Sequence, residues 1–104
     1  MANLTHSATG AAAVNTTLTK GTAGYFESFK IHLSAAGAAG NLIIKIDNGL
    51  GATYDVPILT QDMTLITDIY WQPVRPIRLK STDTVVITWA NASTRTYALE
   101  VEHS

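Results

Sequence analysis

No cysteine occurs in the 104 residues, which excludes disulfides, thiolate nucleophiles and zinc–thiolate sites. Charge is scarce as well. Asp, Glu, Lys and Arg make up 14% of the chain, against roughly 25% in ordinary globular proteins. With 46% apolar residues the composition argues against disorder. Two readings of the surface stay open: part of it is covered by copies of the chain or by a neighbouring protein, or the domain is small, Thr/Ala-rich and uncharged outside. The formal net charge of −1 supplies no basic field, so neither nucleic acid nor an anionic membrane is an expected partner. Arg75, Arg78 and Lys80 form a small basic group, but Asp68 and Asp83 lie close by and a solvated strand edge explains them. No apolar run approaches the ~20 residues of a membrane span. A basic start followed by an apolar block is missing too, so no signal peptide is expected, and the chain is expected to be soluble and to begin near Met1.

Helical periodicity is also lacking. Residues 1–24 carry one charge, Lys20, and "VNTTLT" is rich in β-branched and turn-forming residues. An extended N-terminal arm over residues 1–11 is expected, with Leu4 as its one sizeable hydrophobe, followed by a strand over 12–19. Such an arm has too little apolar surface to hold itself to its own core. From Tyr25 onward the period is two. Phe29, Ile31 and Leu33 alternate against Lys30, His32 and Ser34, and Leu42, Ile44 and Ile46 against Ile43, Lys45 and Asp47. Tyr54, Val56 and Ile58 form a further row, in which Pro57 predicts an edge strand or a bulge. Leu65, Thr67, Ile69 and Trp71, then Val85, Ile87 and Trp89, then Tyr97, Leu99 and Val101 complete the inward set. The sum is about eight short strands with turn signals between them. An all-β fold follows: an antiparallel β-sandwich or jelly roll, one domain over residues 12–104, preceded by the arm.

The stretch "NLIIKIDNGLGATYDVPILT" is the one place where a cofactor loop suggests itself. A dinucleotide fingerprint needs a third glycine and then a helix. Tyr54 stands where that glycine belongs, and β-formers with a proline stand where the helix belongs. A helix-loop-helix calcium site fails for want of alternating oxygen ligands and a closing Glu; calcium held irregularly between loops stays open. What remains is a hairpin turn at Asn48-Gly49, with Asp47 and Asp55 facing each other in water at the strand ends. His6, His32 and His103 have no partners at ligand spacing, and no serine sits in a nucleophile elbow. Asp55, Asp62 and Asp68 could pair as glycosidase carboxylates only with longer loops than these. No catalytic, cofactor or metal residue is therefore assigned, no cofactor is expected, and the chain is expected not to be an enzyme. Phe26 and Tyr70 fall on the phase opposite the core. With Leu4 of the arm they are the candidates for contact with a partner.

From Tyr25 to Glu102 the chain resembles small β-sandwich virion proteins of tailed bacteriophages. The resemblance is carried by "FKIHLSAAGAAGNLIIKIDNGLGATYDVPI", "TDIYWQP" and "IRLKSTDTVVITWANASTRTYALEV". It is one of strand order and style, with no site motif to carry over. The resemblance implies a capsid decoration (cement) protein on the virion surface, self-associating as a homotrimer and contacting the major capsid protein. Its alternatives are a tail or head-fibre module that binds a host glycan, and a free-standing carbohydrate-binding sandwich.

Overall fold

Alternation of β-branched and polar residues produces nine strands in the computed structural model, which describes residues 4–104. They are β1 (Leu4–Gly10), β2 (Val14–Thr19), β3 (Gly24–Leu33), β4 (Asn41–Asp47), β5 (Val56–Asp62), β6 (Asp68–Trp71), β7 (Ile77–Leu79), β8 (Thr84–Trp89) and β9 (Tyr97–His103). A 3-10 turn at Ala52–Tyr54 is the one helical element among the described residues. One antiparallel sheet runs β1-β9-β3-β6, with β7 also on β3, and the other runs β2-β8-β4-β5. β6 takes Phe29–His32 and β7 takes Gly24–Phe26, so these two short strands share one flank of β3 on either side of the Pro73–Pro76 bend.

The pairing is nested. β4 pairs β5 around the Asn48–Gly51 turn, β3 pairs β6 and β7, β2 pairs β8, and β1 pairs β9. The contacts β3–β9 and β4–β8 then close the two sheets. Among the described residues, every strand pairing joins one of the first four strands to one of the last five.

The sheets pack as a sandwich over a shared core. Phe26, Phe29, Ile31, Leu33, Leu79, Leu99 and Val101 come from one sheet, and Val14, Leu42, Ile44, Val85, Ile87 and Trp89 from the other. Each such side chain contributes roughly 1.5–3 kcal/mol on full burial. Loop packing adds Met63, also fully buried. The expected inward rows on β4, β8 and β9 are buried as predicted.

Four local expectations are corrected. Leu4–Gly10 of the predicted arm is an edge strand, paired with β9 in unbroken register from Leu4↔His103 to Gly10↔Tyr97. Backbone bonding to a waiting edge needs few large side chains, and Ala8 lies against the core. The first three residues of that arm lie outside the described residues. Phe26, expected outside, is fully buried. A β-bulge between Phe26 and Ser28 flips the phase, so that Phe26 and Phe29 both point inward. Leu65, expected inward, is 80% exposed. Its φ of 63° places it in a turn, and the strand begins only at Asp68. Tyr54 is likewise exposed in the 3-10 turn, and β5 starts at Val56. Pro57 does mark both an edge and a bulge: β5 pairs only with β4, and the register slips where Lys45 meets Pro57.

Candidate functional site

The outer face of the five-stranded sheet brings together the largest set of chemically able side chains. Alternation along β3 turns Lys30 and His32 outward. Antiparallel register sets Tyr70 beside Lys30 and Asp68 beside His32 on β6, and Glu100 and Ala98 beside them on β9. His32 Nδ1 lies 2.5 Å from Asp68 Oδ1, and Lys30 Nζ lies 3.4 Å from Glu100 Oε1. The hydrogen bond from His32 holds the Asp68 carboxyl below its ordinary value, with a smaller contribution from Thr67. Because Ala98 is small, a shallow hollow of about 300 Å³ opens between these residues. Tyr70 stands at its rim, 69% exposed.

This arrangement can bind but is poorly made for covalent chemistry. No hydroxyl is hydrogen-bonded to His32 among the described residues, so its pairing with Asp68 lacks the nucleophile of a triad. Both partners are more than 60% exposed, at 69% and 63%, so water screens the pair. No group of three His, Asp or Glu side chains converges on a metal-sized space among the described residues. A second hollow, of about 280 Å³, lies where Tyr25 crosses Arg78 beside Gly24 and Ser104.

The sequence candidates are scattered. Tyr70 belongs to the hollow, Leu4 sits 56% exposed on β1, and Phe26 packs in the core with its ring centroid 5.7 Å from that of Trp71. The Asn48–Gly51 segment is a turn: Asp47 accepts from Gly49 N–H, Asn48 accepts from Leu50 N–H, and the Asn48 amide donates to the Tyr54 carbonyl. Asp55 departs from the expectation of a hydrated carboxylate. Its side chain is 9% exposed and is held by Lys45 at 3.1 Å. His32 and Asp68 are 36 positions apart, and only the β3–β6 register joins them, so no local pattern announces the pair.

A further cluster lies at the β1 end of the sandwich. His103 is buried with no partner for Nδ1, and burial, then Lys20 and His6, push its pKa down. His6 Nε2 reaches Thr16 Oγ1 at 2.8 Å and ties β1 to β2 across the sheets. No helix is long and apolar enough to cross a membrane among the described residues. No family model matches the chain, and no curated protein resembles it closely enough to count as a relative.

Proposed function

We propose that the chain is a non-enzymatic structural subunit of a phage-type virion, a decoration protein that binds the outer shell as an oligomer and braces the contacts between shell subunits. The observation that carries this reading is the nested strand order. Counting β6 and β7 as one interrupted strand, this order is that of a long hairpin folded into two four-strand sheets, and it supports reading the sandwich as a jelly roll, an architecture common in capsid and lectin domains. Architecture alone does not assign function. Two further features support the assignment: a surface poor in charge, and a chemistry limited to screened ion pairs. The test is the copy number of the chain on purified particles from its source, by quantitative mass spectrometry. Copies comparable to the shell protein support decoration, whereas absence from the particle overturns it.

A second reading, a glycan-binding module, rests on Tyr70. Its exposed ring above Lys30, His32 and Asp68 offers a stacking face beside hydrogen-bonding groups. A low copy number together with saccharide binding that Tyr70→Ala abolishes favours this reading.

A further inference from the structure

The four edges of the two sheets are not protected alike. β5 carries Pro57 and a bulge and ends in Asp62. The β6/β7 edge is interrupted by Pro73 and Pro76 and carries Asp68 and Arg78. Prolines, bulges and charges of this kind keep an edge from pairing with a foreign strand. β1 and β2, on the other side of the sandwich, have none of them. Residues 4–19 contain no Asp, Glu, Lys, Arg or Pro, and β1 runs through seven residues without a bulge. β2 is followed at once by Lys20 and buries both its large side chains, Val14 and Leu18. β1 instead leaves Leu4 56% exposed on the core-facing side.

We propose that β1 pairs with β1 of a second copy, antiparallel about a two-fold axis at Ser7, joining two five-stranded sheets into one. Along β1, alternate N–H and C=O groups point away from β9, and no described strand meets them. An antiparallel copy satisfies them reciprocally, as a two-fold contact requires. The side chains suit this register. Leu4 falls opposite Gly10, which brings no side chain of its own and lies against the Tyr97 ring. Thr5 falls opposite Thr9 on the outer face, a favourable cross-strand pair, and Ser7 meets itself. With no Asp, Glu, Lys or Arg on the strand, no fixed like charges oppose each other when it meets its own copy. The strand is self-complementary in this register, and that points to a second copy as its partner. The inference is independent of the virion reading, and a three-fold contact would need another surface.

The test uses the full chain at neutral pH. Sedimentation over a wide dilution series should take the mass from 11.1 kDa to twice that value as concentration rises. The double variant Thr5→Lys, Ser7→Lys places its new side chains outward beside Glu102 and Glu100, where the fold tolerates them. It should melt like the parent yet dimerise at least tenfold more weakly, a loss of about 1.4 kcal/mol. Because the chain has no cysteine, Ser7→Cys offers an independent readout if the lysine variant misfolds. Under oxidised glutathione it should form a disulfide-linked dimer faster than Thr60→Cys on the β5 edge. A monomer at every concentration, a trimer, unweakened association of a folded lysine variant, or preferential linkage through Thr60→Cys would each overturn the proposal.

Discussion

His103 shows how one side chain can set the acid limit of the fold. It is 7% exposed, its Nδ1 has no partner, and Lys20 and His6 oppose any added charge. Its folded-state pKa lies below the ordinary 6.5, so the unfolded chain takes up the proton more readily. The stability this gives is complete above that ordinary value, shrinks as pH falls below it and is lost once pH has passed the folded value. The melting temperature is expected to drop as pH falls below 6.5. His103→Gln should flatten that slope, and an unchanged slope would place the titration elsewhere. The exposed carboxylates act in a separate window. Asp62, held low by the Thr64 N–H and hydroxyl, and Asp68, held low by His32, lose their contributions only below their ordinary value of 3.8. Being largely open to water, they contribute little.

At the scale of elements, the loop between β8 and β9 is a latch. Asn91, 2% exposed with φ of 49°, donates from Nδ2 to the carbonyls of Ala12 and Arg95 and accepts from Arg95 N–H. Arg95 Nε in turn donates to the Ala36 carbonyl. One amide thus joins the entry to β2 with the entry to β9. Asn91→Ala should cost about 2–3 kcal/mol and lower Tm by roughly 10 °C. A negligible change would mean that water replaces all three bonds. Elements differed in how legible they were. β4 and β8 were readable because each has one wholly apolar face, as in Leu42, Ile44 and Ile46, and β9 because Tyr97, Leu99 and Val101 alternate ahead of His103. β1 was not, because an edge strand is held chiefly by backbone bonds, and "LTHSATG" offers little but Leu4 to a hydrophobic pattern. Phe26 was misplaced because a bulge is a change of phase that no single residue announces. Leu65 was misplaced because an alternating stretch can still contain a residue at positive φ. The hollow around Tyr70 was legible only in part: the phase of Tyr70 was, but its neighbours come from β3 and β9, and register over such distances is a property of the whole sheet.

At the scale of the whole molecule, the nested pairing makes the two halves of the chain complementary. Among the described residues, a cut in the exposed turn between Leu50 and Gly51 leaves four strands on one fragment and five on the other, with no strand pairing inside either. Each fragment alone should lack a sheet signal by circular dichroism, and an equimolar mixture should recover it. Sheet signal from one fragment by itself would refute this. The same arrangement dominates folding with distant contacts, such as Leu4 with His103, and predicts slow folding for the chain's size. It also bears on synthesis. While the chain leaves a ribosome, residues 4–47 have no strand to pair with until β5 emerges, and β1 waits until β9 does. The segment with no protective charge therefore spends the longest time bare, and on a polysome it does so beside nascent copies of itself. Crowded translation, more than heat or acid, is the condition in which this fold is most open to pairing with the wrong molecule.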